Sequence, residues 1–452
     1  MAAMGRPRIA LLQAQVTPEG SGLRNEKWYL PLGLLSIARF LQQGGHNDVE
    51  ILDMDHDHID STLTRLTAGE WDVVGVNFNV FNTGLLDEVV KAAKEGGSLT
   101  VIGGQAATAI PDRLLSSNDD IDAVVLYDGE EPMLQLANRL AQGTTDLSRI
   151  PNLVWRNEWE SKNQRNSQDP KFLASDYNVR TPDISSYPMI DRRINGFDLD
   201  RYKNYWYRTD IDPDRVPTSM YIQKGCGNGC TFCARIDKQI RQRTPKQVYE
   251  ELQVLHNEGV NYVYIVDDAF TADKELLREI KNIFDYKGHL PIKFWCFADV
   301  RDLDEECVEL LSAIHMEKVL IGIESGSEEV RKKSGKRFSN EFLFRRLEYL
   351  AKAKIKLEDS YVLGLAGETE ETLLETFKLS QKVASICQTE DTAFNIMTPL
   401  PGSPDWNRLM SIPQLRQKYA YGYHFDIDEV RNDFFEAYCS FPAEDVWLAK
   451  LA

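Results

Sequence analysis

The 452-residue sequence has little cysteine and little histidine, seven of each, and no surplus of basic charge. An odd cysteine count, with Cys226, Cys230 and Cys233 inside eight residues, does not suit the evenly paired framework of a secreted disulfide scaffold. Against 70 Asp and Glu stand only 52 Lys and Arg, a formal charge of −18, and residues 1–150 alone carry 11 basic and 21 acidic side chains. That excludes a nucleic-acid footprint, because neutralising phosphates takes a basic face; an acidic balance suits cationic small molecules instead. No window of eighteen apolar residues exists, and the longest candidate, residues 29–41, is broken by Arg39, so no membrane span is expected. The N-terminus lacks a long apolar core ahead of a small-residue cleavage site, which makes the cytoplasm the expected location. With 18 Pro, 28 Gly, 42% hydrophobic and 27% charged residues, collagen-like, disordered and coiled-coil chains are excluded and a globular enzyme is left.

What is present is an α/β rhythm. Short apolar runs at 8–13, 49–53, 72–76, 99–103 and 121–126 alternate with helical patterns at 32–43, 85–95 and 130–141. Such alternation demands parallel strands with right-handed crossovers. Residues 1–149 are therefore expected to form a doubly wound parallel sheet, with ligand-binding loops beyond the strand ends at 77–84 and 103–108. The rhythm lapses over 150–216, read as a connector with a hairpin near 153–160 and with packing aromatics at 197–207. It resumes over 217–403 with six strand-like runs, at 218–223, 261–266, 292–297, 318–323, 356–363 and 392–397. Six βα units predict a (β/α)6 partial TIM barrel with its site at the strands' C-terminal ends. Residues 404–452 are expected to cap it.

The segment Cys226-Gly-Asn-Gly-Cys230-Thr-Phe-Cys233 follows the first of these six strands. Three thiolates on one glycine-rich turn can hold three irons of a [4Fe–4S] cluster and leave the fourth open to a ligand. Gly227 and Gly229 would let the backbone curl where a Cβ would crowd the cluster. Zinc is the competing occupant, but it prefers four closed ligands, and no fourth Cys or nearby His completes a familiar spacing. Cys296, Cys307, Cys387 and Cys439 are scattered and read as buried thiols. Asp55-His56-Asp57-His58 reads as a solvated loop.

This C-x3-C-x2-C spacing after a first barrel strand resembles the signature of the radical S-adenosylmethionine (SAM) superfamily, and the resemblance runs over residues 218–403. It implies that Cys226, Cys230 and Cys233 ligate a [4Fe–4S] cluster, that SAM chelates its fourth iron and that Phe232 packs near the adenine. It implies further that reductive cleavage of SAM yields a 5′-deoxyadenosyl radical that takes a hydrogen from substrate, with electrons from a donor such as flavodoxin or ferredoxin. Val266-Asp-Asp-Ala-Phe270 resembles the family's acidic turn after strand two, which assigns Asp267 to the methionyl amine. Residues 295–301 resemble the strand-three pattern, and Ile321-Gly-Ile-Glu-Ser-Gly326 resembles the strand-four pattern, placing Glu324 and Ser325 toward the SAM ribose. Gly364-Leu-Ala-Gly-Glu-Thr369 resembles the strand-five glycine turn, with Gly364 at SAM, and Thr398-Pro-Leu-Pro-Gly402 the strand-six exit.

The first domain resembles the cobalamin-binding domain of one branch of that superfamily, in Pro31-Leu-Gly-Leu-Leu35, in Gly103-Gly104 with Ala107-Thr108, and in Asp128-Gly-Glu-Glu131. The implied pocket is Asn77, Phe78, Phe81, Gly103 and Gly104. Yet the lower-ligand D-x-H-x-x-G pattern is missing, Phe78 and Phe81 stand where small or hydroxylic residues commonly line the corrin, and Gly104-Gln-Ala106 lacks a histidine. Cobalamin binding and a retained fold with a plugged pocket both stay open. In domain plan and acidic balance the chain resembles the radical SAM diol dehydratases of aminoglycoside antibiotic biosynthesis, of the apramycin type, and this reading ranks first. It implies hydrogen removal from a paromamine-like amino sugar, loss of water from a 1,2-diol, and a separate nicotinamide-dependent reductase for the product ketone. Proton transfer in such an elimination needs a carboxylate or phenol, for which Tyr221, Asp268, Glu358 and Asp359 are the candidates. The alternative is a cobalamin-dependent radical SAM C-methyltransferase of natural-product biosynthesis. A non-catalytic binding module is disfavoured, because all three cluster thiols are present.

Overall fold

The computed structural model describes residues 5–14, 30–54, 57–81, 83–144, 146–156, 172–176, 178–194, 214–235, 237–441 and 446. The aromatic run at 197–207, the residues 157–160 of the expected hairpin, and Asp55 with His56 lie outside them. The chain divides into two units, residues 1–206 with 417–425, and residues 207–416 with 426–452.

The first unit is built on seven strands: β1 (Ile9–Gln13), β2 (Val49–Asp53), β3 (Val73–Asn77), β4 (Leu99–Gly103), β5 (Ala123–Val125), β6 (Leu153–Arg156) and β7 (Phe172–Ala174), in the order β2-β1-β3-β4-β5-β6-β7. The first five pair in parallel. Their nearly unbroken Val, Ile and Leu content follows from burial on both faces, the usual condition of parallel strands under crossover helices. The order 2-1-3-4-5 reverses between β1 and β3, and in open α/β sheets that switch point is where a ligand crevice opens. Within 150–174, expected as a connector, β6 and β7 instead extend the sheet by two antiparallel strands.

The second unit carries β8 (Pro217–Met220), the short antiparallel ribbon of β9 (Gln223–Lys224) and β10 (Arg241–Gln242), then β11 (Tyr262–Ile265), β12 (Lys293–Ala298), β13 (Met316–Glu324), β14 (Lys356–Leu363) and β15 (Thr389–Ile396). Six of these form one parallel sheet in chain order, β8-β11-β12-β13-β14-β15, and among the described residues β15 does not pair with β8, so the barrel is open. Alternation assigns the faces. Val263, Cys296, Val319, Ile321, Leu357 and Tyr361 point outward and share a core with Leu252, Ile280, Leu311, Leu347 and Val383 of the crossover helices. Tyr264, Trp295, Phe297, Lys318, Leu320, Glu358 and Ser360 take the opposite, inner face. The helix Pro245–Asn257 starts where Thr244 and Gln247 close a reciprocal capping box, with Pro245 at its first turn.

Candidate active site

The cysteine loop spans the gap between β9 and β10, and its shape is set by backbone contacts. Gly225, at φ +92°, has no room for a side chain, because a Cβ would stand 2.1 Å from the Gln239 carbonyl across the ribbon. Cys226 N–H donates to the Asp237 carbonyl (3.3 Å) and Cys233 N–H to that of Cys230 (3.4 Å). A second glycine, Gly335 at φ +90°, presses on the loop from outside, its missing Cβ leaving space for the Gly229 carbonyl at 2.2 Å. Thr231 N–H donates to Ser334 O (3.0 Å), and Asp405 N–H to Thr231 O (2.9 Å). A Cβ on Gly227 or Gly229, the glycines expected to clear a cluster, would meet no described protein atom closer than 3.9 Å, so contacts within the protein demand glycine at Gly225 and Gly335.

All seven cysteines are free, and Cys226, Cys230 and Cys233 together line a cavity of about 250 Å3. Phe232, Arg235 and Asp268 line it beside them, with Asp299, Gly322 and Glu324 from the ends of β12 and β13 and Lys336 from the turn after the helix Glu328–Lys333. Phe297, Leu320 and Ser360 of the inner face complete its floor. Among the described residues no three His, Cys, Asp or Glu side chains gather as they would on one metal ion. Three thiols around one cavity have the donor chemistry of an iron–sulfur site and fit such a cluster. Burial pushes the Cys230 thiol up to about 11, with Lys336 as the main opposing charge.

Charged groups organise the rest of the cavity wall. Asp299 accepts from Arg301 Nε (2.8 Å) and Nη2 (2.7 Å) and from Asn228 Nδ2 of the cysteine loop (3.1 Å). Burial alone would raise Asp299, but Arg301 and Lys336 outweigh it and hold the carboxyl at about 2. Lys336 Nζ lies 3.2 Å from Glu324 Oε1, 3.7 Å from Asp299 Oδ2 and 3.0 Å from the Gly322 carbonyl it donates to. Burial works against its charge, yet Glu324 and Asp299 keep it above its ordinary value. Asp268 is paired with Arg235, and burial raises it against that pairing.

The cavity thus brings together six of the residues singled out from sequence: Cys226, Cys230, Cys233, Phe232, Asp268 and Glu324. Six others stand outside its lining. Asp267, 1% exposed, accepts from the backbone N–H of Ile222 (2.8 Å) and Gln223 (3.0 Å) and anchors the exit of β8. Ser325 is buried with its hydroxyl 3.3 Å from that of Thr376, and accepts Ser327 N–H. Gly364 donates its N–H to Glu368 Oε2 (2.6 Å) and packs under Phe435. Tyr221 lies under the cations of Lys224 and Arg243. Asp359 is on the outer face, where it accepts from Thr392 (2.7 Å), so it cannot serve chemistry inside the barrel. Glu358 is on the inner face, but its two oxygens are taken by Trp295 Nε1 (2.9 Å) and Lys318 Nζ (2.6 Å). Sequence reasoning gave no role to Asn228, Arg235, Asp299 and Lys336, because only the fold separates a buried polar side chain from a solvated one.

In the first unit, Asn77 Nδ2 at the tip of β3 donates to Gln13 Oε1 at the tip of β1 (2.9 Å), spanning the switch point. Beside them a Cβ on Gly103 would meet nothing within 4 Å, whereas one on Gly104, at φ +109°, would strike Asn77 Oδ1 at 2.6 Å. Among the described residues there is thus room beside Gly103, while Gly104 is closed in by Asn77 and the Phe78 carbonyl. Phe78, one of the two residues expected to plug the pocket, is 3% exposed and meets Tyr423 edge-on with centroids 5.9 Å apart; Phe81 is 38% exposed.

Two domains are identified by comparison with known proteins. The radical SAM superfamily is matched over residues 220–380 and the B12 binding domain over residues 27–137. The chain joins a B12-binding domain to a radical SAM domain. It is 26% identical over 385 residues to an uncharacterized methyltransferase of Pyrococcus horikoshii, covering 83% of this chain and 77% of that one. A second uncharacterized methyltransferase, from Synechocystis, is 25% identical, with 84% of this chain and 62% of its own covered. The anaerobic magnesium-protoporphyrin IX monomethyl ester cyclase of Rubrivivax gelatinosus is 24% identical, with 78% and 62% covered. Among solved structures, the radical SAM methyltransferase TsrM from Kitasatospora setae, with cobalamin and a [4Fe–4S] cluster bound, superposes with a TM-score of 0.72 at 19% identity, over 90% of this chain and 76% of that one. The cobalamin-dependent SAM radical enzyme OxsB does so at 0.68 and 14%, over 91% and 61%. These last two are likenesses of fold, and they match the expected pairing of a doubly wound sheet with a partial barrel.

Proposed function

We propose that the protein is a cobalamin-dependent radical SAM enzyme that transfers a methyl group to a carbon of a small-molecule substrate. The observation that carries this reading is the convergence of three free thiols on one cavity, in a chain whose first domain matches the B12 binding domain. When bound, a cluster with SAM supplies radical chemistry and cobalamin supplies a methyl carrier. Cys226, Cys230 and Cys233 would hold three irons, Phe232 would offer the adenine an apolar wall, and Glu324 would face the ribose. Asp268, held by Arg235 at the cavity wall, is the carboxylate best placed to handle a proton. Reduction requires an external one-electron donor of the flavodoxin or ferredoxin kind.

Methyl transfer takes precedence over the dehydration of an amino sugar that the sequence alone ranks first. Two relatives are named methyltransferases, and the match of residues 27–137 to the B12 binding domain favours a corrin over a plugged pocket. The nicotinamide-dependent reductase belongs to the dehydration alone. The deciding experiment is anaerobic reconstitution with iron, sulfide and hydroxocobalamin, followed by incubation with SAM, a reductant and a panel of small molecules that includes amino sugars. Corrin-dependent products heavier by a methylene unit support the reading, whereas corrin-independent loss of water replaces it with dehydration. Cys230→Ala should abolish either product together with the cluster's visible absorption.

A further inference from the structure

Lys336 is a buried charge of the cavity wall that the proposed chemistry leaves without a task. Its residue is 7% exposed, and its ammonium lines the cavity that Cys230 also lines. An ammonium has three N–H donors, and three acceptors surround this one: the Gly322 carbonyl at 3.0 Å, Glu324 Oε1 at 3.2 Å and, more loosely, Asp299 Oδ2 at 3.7 Å. These acceptors come from the ends of two neighbouring strands, β12 and β13.

The surroundings are shaped to this arrangement. Glu324 adopts φ +69°, a left-handed conformation that a non-glycine residue takes only when its neighbours hold it there. Gly322 makes room for it, since a Cβ at that position would lie 2.2 Å from Glu324 Oε1. The carboxylate folds back over the strand end into the ammonium, and burying it without such a partner would be costly. Lys336 is also tied to the cysteine loop, because its own segment presses on that loop through Gly335 against Gly229 and through Ser334 O, which accepts Thr231 N–H. Asp299 reaches the same loop through Asn228. One short segment therefore grips the cysteine loop by its backbone and delivers a buried cation beside it.

We infer that Lys336 is a positioning residue that locks Glu324 and Asp299 across two strand ends and sets one positive charge against the three cysteine thiolates. The inference rests on the reading of those cysteines as cluster ligands. Two consequences follow. A cation beside an anionic cluster favours its reduced form, because net charge around the sulfurs sets the potential. A fixed Glu324 presents SAM with an ordered acceptor, and supporting groups of this kind are worth about ten- to a hundred-fold in binding or activity.

The test uses the full chain, reconstituted anaerobically, with three readouts: iron per chain, the cluster's midpoint potential by EPR-monitored titration, and SAM affinity. Lys336→Met is expected to keep the wild-type iron content, to shift the midpoint to a more negative value and to weaken SAM binding by about tenfold or more. Lys336→Arg, which keeps the charge, should restore most of the potential. Should Lys336→Met fail to fold around an unpaired Glu324, the comparison of Glu324→Gln with Glu324→Gln/Lys336→Met asks the same question without a stranded charge, and the double variant should have the more negative midpoint. An unchanged potential and unchanged SAM affinity on removing Lys336 would overturn the inference. A wild-type chain that takes up no cluster fails differently, since it removes the ligand assignment itself.

Discussion

At Gly364 two constraints coincide. Its φ of +88° is open to glycine and costly to other residues, and a Cβ there would stand 2.3 Å from the ring of Phe435. Gly364→Ala is therefore expected to cost about 2–4 kcal/mol, combining left-handed strain with overpacking against a ring that cannot retreat. Gly229→Ala, whose Cβ would meet nothing within 4 Å, should leave stability almost unchanged. Urea unfolding of the two apo variants checks the contrast, and equal midpoints would mean that Phe435 yields. The same residues mark the limit of what a linear sequence discloses. The cysteine spacing is legible because thiol ligands must sit close on one turn. The reason for Gly364 is not, because Phe435 lies 71 positions further on and only the fold brings the two together. Nor does anything in Arg331-Lys332-Lys333-Ser334-Gly335-Lys336-Arg337 single out Lys336 from its neighbours, of which Lys332 and Lys333 are exposed.

The loop between β14 and the helix Glu370–Ile386 is held by one fully buried carboxylate. Glu368 accepts Gly364 N–H, while its own carbonyl accepts Ser440 N–H (3.0 Å) and Gly367 N–H donates to Tyr438 O (2.7 Å), so residues 364–368 are laced to 438–440. Burial raises Glu368 from 4.5 to about 7, against the opposing hydrogen bonds from Gly364, Leu365 and Ser325. A shift of that size corresponds to about 3 kcal/mol. The sign follows from proton counting: the folded chain keeps the proton where the unfolded chain has lost it. The contribution is thus whole below about pH 4.5 and drains away as pH rises through about 7. Wild type should lose about 3 kcal/mol of unfolding free energy relative to Glu368→Gln between pH 4.5 and 8, measured by denaturant titration at each pH. A constant difference would show that Glu368 is ionised throughout. The elements around this loop were legible where periodicity governs them, as in the alternation of β14. Of the antiparallel pair, β6 falls where a hairpin is expected near 153–160, whereas β7 and the pairing of β6 with the edge of β5 were not legible, since these short runs lack a crossover helix.

At the scale of the whole molecule, the chain does not divide at a single cut: residues 417–425, far along in sequence, belong to the first unit. They are pinned there by Tyr423, whose hydroxyl is bonded to Asp87 and accepts from Asn118 Nδ2 (2.9 Å), whose ring buries the edge of Phe78, and whose neighbour His424 pairs with Asp87 at 2.8 Å. An uninterrupted C-terminal cap over 404–452, expected from sequence, leaves this excursion out, because a short aromatic stretch has no pattern that says which core it joins. Removing the ring and hydroxyl together takes one partner from Asp87 and Asn118, which keep each other (2.8 Å), and uncovers Phe78. Tyr423→Ala should therefore destabilise the first unit by about 2–4 kcal/mol, the sum of buried hydrogen bonds and an aromatic contact. Hydrogen exchange should quicken along β3, β4 and the helix Thr83–Glu95, while the proposed cluster ligands Cys226, Cys230 and Cys233, all in the second unit, should take up iron on reconstitution as in wild type. Tyr423→Phe separates the terms, retaining the contact with Phe78 and losing only the hydroxyl's share. If Tyr423→Ala instead lost its iron while exchange in the first unit stayed at the wild-type rate, the segment would be supporting the barrel, and its assignment to the cobalamin-type domain would be wrong.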